Sequence, residues 1–305
     1  MLRRSALCFL AFFSVFSLSS DPRLTVVGVQ FNLDEFTYSS VEVFAQIVEQ
    51  HVQDAVELGD DSMLIVFPEY TSVFLALIPY YEVVRRAETV AEALEYISAA
   101  NASISTVHRL FASQSTRVEK VMDEVWGRLA AEYAVYLLAG TRFVLRGDEL
   151  RNSLVVYAPD GGRAYEQDKV YLTDFELQVP QLQPGKVADS RPIGIAGQDV
   201  AFTICRVTFF SAWDSALGSA DYWIDIKANG ATFSQAEARR FLTALPERIR
   251  DTGVTRGLTV CLTGAFLDLY WEGTSFTVRQ AGTEVLIPHV AESAVAGEIL
   301  ADVLY

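Results

Sequence analysis

The chain has 305 residues, of which 51% are hydrophobic and 21% charged, a composition that suits a globular protein with a sizeable core. Its formal net charge of −15 argues against nucleic acid or an anionic membrane surface as a partner, because both would repel it. The only histidines are His51, His108 and His289, and none sits in a ligand-like cluster. We therefore expect no histidine-based metal site and no serine–histidine triad.

The first twenty residues read as a secretory signal peptide. Two arginines precede an apolar run over 6–16, and Ser17 and Ser19 occupy plausible positions before a cleavage site. The run is short for a membrane span, although an uncleaved anchor is the alternative. The sequence thus predicts a signal at 1–20, one domain over 21–305, and export to a periplasm, a lumen or the cell exterior.

Short apolar runs rich in β-branched residues alternate with helical patterns along the rest of the chain. Several runs are apolar on both faces, as expected for a sheet that is covered on each side. Ser39 and Glu42 form a capping-box pair that predicts a helix between the first two strands. A second amphipathic helix is predicted over 117–133, and a third from Ser234, interrupted near Pro246. The predicted strands are 24–30, 63–67, 135–140, 154–158, 200–205, 222–226 and 258–264.

Two further segments complete the prediction of one α/β domain. Residues 76–116 are rich in helix formers and in Ser and Thr, and we expect an elaboration beside the second strand that forms part of a lid. Residues 273–288 alternate between apolar and polar, which predicts a hairpin turning at Ala281–Gly282. Nothing in the chain suggests a linker, a low-complexity tract or an internal repeat.

Three chemically versatile side chains follow predicted strands. Glu69 comes directly after the second strand, at the edge where open α/β sheets bind ligands. Lys169 lies at the far end of a hairpin whose turn is 159–162, and Cys205 ends the run VAFTIC. Taken singly, each has a plainer interpretation: a solvated acid, a surface lysine and a core cysteine.

Together, the three residues supply what acyl transfer through a thioester requires. That chemistry needs a nucleophile, a base to take its proton, and a donor that faces the developing oxyanion. Cysteine, glutamate and lysine provide these roles without histidine, and a nearby cation would lower the pKa of the Cys205 thiol. In an exported protein, a disulfide between Cys205 and Cys261 is the structural alternative.

These motifs resemble those of the nitrilase superfamily of carbon–nitrogen hydrolases, over nearly the whole chain from about residue 24. The family's hydrophobic-Pro-Glu motif matches FPEY at Glu69, and its Ile-Cys motif matches TIC at Cys205. Its lysine segment matches RNSLVVYAPDGGRAYEQDKVYL at Lys169, which is the most specific part. A further glutamate soon after the lysine corresponds to Glu176, and LQPG at 182–185 also matches in order.

The resemblance implies a four-layer α-β-β-α sandwich in one domain, commonly a homodimer. It implies that Cys205 attacks an amide or nitrile carbon, that Glu69 is the general base, and that Lys169 stabilises the tetrahedral intermediate. The N–H of Arg206 would assist Lys169, and Glu176 would orient the attacking or leaving group. The resemblance implies no metal and no organic cofactor.

The chain departs from the family pattern beside two of the motifs. Tyr171 stands two residues after the lysine where the family often has histidine, and RVTFFSAWDS follows the cysteine in place of a Phe-Pro-Glu-like run. Arg206 adds a positive charge beside the nucleophile, which makes acidic substrates more plausible. The leading hypothesis is an exported amidase; the alternatives are an acyltransferase that passes the acyl group to an amine, and a non-catalytic binding protein that keeps the fold.

Overall fold

The computed structural model describes residues 24–59 and 62–304, so the predicted signal peptide lies outside the described residues. The strands are β1 (Leu24–Gln30), β2 (Asn32–Leu33), β3 (Ser62–Phe67), β4 (Tyr136–Arg146), β5 (Glu149–Tyr157), β6 (Arg163–Asp168), β7 (Ile193–Ile195), β8 (Gln198–Ile204), β9 (Tyr222–Lys227), β10 (Arg256–Cys261), β11 (Thr263–Phe266), β12 (Leu269–Trp271), β13 (Phe276–Ala281), β14 (Glu284–Leu286) and β15 (Glu298–Leu304). The helices are α1 (Val41–Val56), α2 (Tyr81–Val84), α3 (Val90–Ala100), α4 (Val107–Met122), α5 (Arg128–Glu132), α6 (Asp174–Gln178), α7 (Asp214–Leu217) and α8 (Gln235–Arg250).

Two six-stranded sheets form the centre of the fold. One has the order β15-β1-β3-β4-β5-β6 and the other the order β14-β13-β10-β9-β8-β7. Parallel strands lie in the middle of both sheets, β1-β3-β4 in the first and β8-β9-β10 in the second. The outer strands of each sheet are antiparallel to their neighbours. The carboxyl ends of the parallel strands therefore share one edge in each sheet.

The two sheets pack face to face. Val26 and Leu64 of the first sheet share one buried apolar cluster with Phe202 and Leu258 of the second. The approach is close at Gly28, where an added Cβ would lie 2.9 Å from Cγ2 of Val260. Because strand side chains alternate between faces, the neighbours of these residues along each strand point to the opposite face of the sheet, towards the helices.

Helices cover both outer faces. Val27 and Ile65 pack in one cluster with Phe44 of α1 and Val118 of α4. On the other sheet, Trp223 packs in a cluster with residues of α8. The layers are thus α-β-β-α, and the fold class predicted from the sequence is confirmed.

Strand positions agree with the sequence better than the details of the helices do. The cap of α1 is Ser40, not Ser39: its side chain accepts a hydrogen bond from the backbone N–H of Val43. Helix α8 begins after Ser234 as expected but continues through Pro246, because the packing of Leu245 and its neighbours outweighs the loss of one backbone N–H.

Two more local expectations needed correction. Ala281 pairs with Glu284, so the last hairpin turns at residues 282–283 and not at Ala281–Gly282. The helix predicted over 117–133 begins earlier, at Val107, and reaches Glu132 through a π-helical segment, Asp123–Gly127. No helix among the described residues combines the length and the hydropathy that crossing a bilayer requires.

Candidate active site

The three residues singled out in the sequence follow strands in the structure as well. Glu69 comes two residues after β3, and Lys169 follows the last residue of β6. Cys205 follows β8 and opens a short 3-10 helix, Cys205–Phe209. Glu69, Lys169 and Cys205 are all buried, at 0%, 1% and 7% relative exposure. The plainer interpretations of the acid and the lysine as solvated side chains are therefore wrong.

Donors surround the carboxylate of Glu69. Its Oε1 accepts from Nζ of Lys169 at 2.8 Å and from Nδ2 of Asn152 at 2.8 Å. Its Oε2 accepts from the backbone N–H of Ala228 at 3.1 Å. Burial nevertheless dominates and raises the pKa of Glu69, with Lys169 opposing that effect and the nearby charge of Glu176 adding to it. A buried glutamate with a raised pKa is suited to accept and return a proton near neutral pH.

Glu176 is the second carboxylate that contacts Lys169. Helix α6 begins at a capping box in which Thr173 and Glu176 bond each other reciprocally, which places the carboxylate Oε2 2.8 Å from Nζ of Lys169. Asn152 donates to Oε1 of Glu176 at 2.9 Å, so one amide bridges both carboxylates. Burial would raise the pKa of Glu176, but Lys169 and these hydrogen bonds lower it below its ordinary value.

Lys169 stays charged in this setting. Burial by itself would lower its pKa, but the carboxylates of Glu69 and Glu176 outweigh burial and raise it. We call Glu69, Lys169, Glu176 and Cys205 the catalytic cluster. At neutral pH it holds a buried ammonium between two carboxylates, next to a thiol.

The backbone at Cys205 is strained, and its thiol is protonated at rest. Its φ is +52°, a left-handed conformation that is uncommon for a non-glycine residue. Burial, assisted by the charge of Glu69 and opposed by Lys169 and Lys227, raises the pKa of Cys205 to about 12. The expectation of a lowered pKa was wrong, because burial outweighs the cations. Cys205 and Cys261 are both free, so the alternative of a disulfide between them is excluded.

Sequence analysis missed three contributors to the site. Asn152 is the asparagine of the RNS segment, so its signal was present but was not given a role. Lys227, at the end of β9, donates to the carbonyl oxygen of Cys205 at 3.0 Å and pairs with Asp225 at 2.8 Å. Two charged residues in the otherwise apolar run YWIDIK were the available signal. Burial, together with the nearby charges of Glu176 and Glu69, raises the pKa of Tyr70, which stands beside Glu69 in the sequence.

Arg206 does not bring its charge into the catalytic cluster. Its guanidinium donates to the carbonyl oxygen of Leu172 at 3.0 Å and lines a separate cavity with Tyr171 and Phe210. The argument that Arg206 favours acidic substrates therefore loses its basis. Its backbone N–H remains in the first turn of the 3-10 helix, where donors have no partner within the helix.

An open cavity of about 320 Å³ reaches the catalytic cluster at Lys169. Tyr70 and Ala228 also line it, as does the exposed Tyr270. Across 24–59 and 62–304, no group of three or more His, Cys, Asp or Glu side chains is placed to hold a metal ion. A small molecule that enters this cavity would meet the ammonium of Lys169.

Comparison with models of protein families found no match, and no curated protein matched in sequence. Solved structures do match over nearly the whole chain. A carbon–nitrogen hydrolase from Helicobacter pylori G27 superposes with a TM-score of 0.65 at 19% identity, covering 93% of this chain and 89% of that chain. An amidase from Nesterenkonia sp. gives 0.63 at 16% identity, covering 93% and 90%. Nit3 from Saccharomyces cerevisiae, a member of branch 10 of the nitrilase superfamily, gives 0.61 at 17% identity, covering 93% and 90%. The chain therefore has the nitrilase-type fold that its motifs predicted.

Proposed function

We propose that this protein is an exported hydrolase that cleaves a non-peptide carbon–nitrogen bond, that of a small amide, through a thioester on Cys205. The observation that carries the proposal is the burial of Cys205, Glu69 and Lys169 in one cluster, of which Lys169 lines an open cavity. A non-catalytic protein would have no reason to keep a buried ammonium and two carboxylates there, because the desolvation of such charges is costly.

In the acylation step, Sγ of Cys205 attacks the carbonyl carbon while Glu69 takes the thiol proton. The raised pKa of the thiol means that a free thiolate is scarce, so proton transfer has to accompany the attack. The carbonyl π electrons move to the oxygen and form a tetrahedral oxyanion. When this collapses, the carbon–nitrogen bond breaks and Glu69 returns the proton to the leaving amine.

Lys169 is the donor to the oxyanion. An ammonium carries three N–H donors, and the two carboxylates at 2.8 Å occupy two of them. The third is free to face the open cavity, which Lys169 lines. The backbone N–H of Arg206 would be the second donor. Glu176 holds Lys169 in place and balances its charge.

Water completes the cycle. Glu69, again ionised, takes a proton from water as its oxygen attacks the thioester carbonyl. The second tetrahedral intermediate collapses with cleavage of the carbon–sulfur bond, and the proton passes from Glu69 to Sγ of Cys205. The carboxylic acid leaves and the enzyme returns to its starting state.

A structural neighbour supports this assignment. In a Glu-to-Gln mutant of the Nesterenkonia amidase, the acetamide moiety of fluoroacetamide adds covalently to the active-site cysteine. The catalytic cluster here offers the same pair of residue types, a glutamate and a cysteine. For export, the support is the signal-like composition of residues 1–20; the homodimer is likewise a proposal, implied by the resemblance.

The decisive experiment is intact-protein mass spectrometry after incubation with a library of amides and nitriles. A substrate should increase the mass of the protein by that of its acyl group less one hydrogen. Digestion should then place this addition on the peptide that contains Cys205. Lys169→Ala should lower turnover by about a hundredfold or more, the scale seen when one oxyanion donor is lost.

Two cysteine variants serve as matched controls. Cys261→Ala removes the other buried thiol of the described residues and should keep the adduct, whereas Cys205→Ala should abolish both adduct and turnover. An adduct that persists in Cys205→Ala, or turnover by Lys169→Ala within about twofold of wild type, would refute the mechanism.

A further inference from the structure

A second cavity adjoins the open one and differs from it in character. It has a volume of about 60 Å³, and no charged side chain lines it. Ile97 of α3, Leu110 and Phe111 of α4, and Phe266 of β11 are among its walls. All four are buried, at 1% to 7% exposure, whereas two other lining residues, Phe175 and Val179, are exposed at 41% and 38%.

The apolar cavity borders the catalytic cluster through Tyr70. Tyr70 lines both cavities, as do Phe175, Leu269 and Trp271. Its hydroxyl lies near the charges of Glu176 and Glu69, and its ring packs edge-on against Phe143, which lines the apolar cavity, at a centroid distance of 5.8 Å. The apolar cavity therefore adjoins the cavity that Lys169 lines, with Tyr70 on the boundary between them.

We propose that this apolar cavity binds the hydrocarbon chain of the acyl group of the substrate. The assignment rests on the proposed thioester mechanism, in which the acyl group stays attached to Cys205 while the amine leaves and water enters. The amine that leaves and the water that enters both need the open cavity. The group that stays can occupy a cavity without charged side chains, and only an apolar group loses no hydrogen bonds by burial there.

The volume sets the length of that chain. A water-sized group needs about 10–15 Å³ of such space, so 60 Å³ accommodates about four to six carbons. Each methylene buried there should raise kcat/KM about fourfold, from the usual free energy of burying a CH₂ group. The preferred substrates are then amides of medium-length, unbranched carboxylic acids.

Two variants on helix α3 provide the test. Ala93 lines the apolar cavity, whereas Ala91, two residues earlier, is exposed. Ala93→Leu adds three carbons inside the cavity, and Ala91→Leu adds the same three carbons outside it. In wild type and in Ala91→Leu, kcat/KM should rise along the series from acetamide to hexanamide. In Ala93→Leu the rise should stop at about butanamide, with acetamide turnover within about twofold of wild type.

Binding to Cys205→Ala, measured by calorimetry, makes the test independent of turnover. This variant should bind hexanamide more tightly than acetamide, and adding Ala93→Leu should remove the difference. Three results would overturn the proposal. The kcat/KM of wild type could be independent of acyl length, or it could depend on the length of the N-alkyl group in a series of N-alkyl acetamides instead. The third is that kcat/KM varies with acyl length in the same way in both leucine variants. If amides acylate Cys205 regardless of length, only the cavity assignment fails; if hexanamide is preferred in binding but no amide reacts, only the hydrolase proposal fails.

Discussion

Lys169→Met tests whether the catalytic cluster is held together by its one ammonium. The substitution keeps an unbranched apolar side chain, one atom shorter than lysine, but leaves the carboxylates of Glu69 and Glu176, exposed by only 1% and 0%, without their cation. Breaking a buried pair in this way costs about 3–5 kcal/mol of unfolding free energy. Because the entropy of unfolding at Tm is about 2.1 cal/mol/K per residue, that corresponds to a fall in Tm of about 5–8 °C for a chain of this size.

The loss should depend on pH in a defined direction. Without the ammonium, burial raises the pKa of both carboxyls in the folded variant above the values in the unfolded chain. A group with a raised folded pKa stabilises the fold below its unfolded pKa, and that contribution is lost as the pH rises. The difference in Tm between Lys169→Met and wild type should therefore be larger at pH 8 than at pH 5.

Removing one carboxylate as well gives the matched control. Lys169→Met/Glu176→Gln leaves a single buried acid and should regain much of the Tm at pH 8, while turnover stays lost because the oxyanion donor is absent. Thermal unfolding followed by circular dichroism measures this. A Tm of Lys169→Met within about 2 °C of wild type, or a double variant no more stable than the single one, would refute the reasoning.

Three other predictions concern a glycine of β4, the pH dependence expected from Glu69, and the N-terminus. Gly140→Ala should destabilise the fold by at least about 2 kcal/mol more than Gly147→Ala, because both glycines have positive φ but only at Gly140 would a Cβ collide with the backbone oxygen of Pro68; chemical denaturation measures the difference, and equal losses would contradict it. Because Glu69 must be ionised to take the thiol proton and its pKa is raised, kcat/KM should fall on acidification with a midpoint above 4.5, and a midpoint at or below that value would be inconsistent with Glu69 as the base. N-terminal sequencing of exported protein should start at Asp21; a chain in the membrane fraction that still begins at Met1 would disprove signal cleavage.

Local sequence patterns gave correct predictions for elements whose structure depends on a few neighbouring residues. The apolar run over 24–30 became β1 with the same bounds, since a run buried on both faces has few other stable conformations. The turn after β5 placed Lys169 correctly, because Asp160 and the glycines that follow it favour a tight hairpin by their own geometry. Where two local choices compete, as Ser39 and Ser40 do for the cap of α1, packing decides, and the sequence pointed to the wrong one.

The features of the site can likewise be separated into those that the sequence predicted and those that it did not. The positions of Glu69, Lys169 and Cys205 just after strands could be predicted, because each belongs to a recognisable motif. Their electrostatics could not, because a pKa depends on burial and on charges that are remote in sequence. Lys169 is 100 residues from Glu69, one of the two carboxylates that it contacts. The thiol pKa is accordingly raised where the sequence suggested that it would be lowered.

The positions of the central strands, the hairpin that carries the lysine and the location of Glu69, Lys169 and Cys205 at strand ends could be predicted from the sequence alone, because they depend on side-chain periodicity and backbone preference over a few neighbouring positions. The bridging role of Asn152, the support of Cys205 by Lys227 and the apolar cavity behind Tyr70 were decided only by the tertiary structure. Each of these depends on which elements the two sheets and their helices bring into contact, and that is settled by packing across the whole chain.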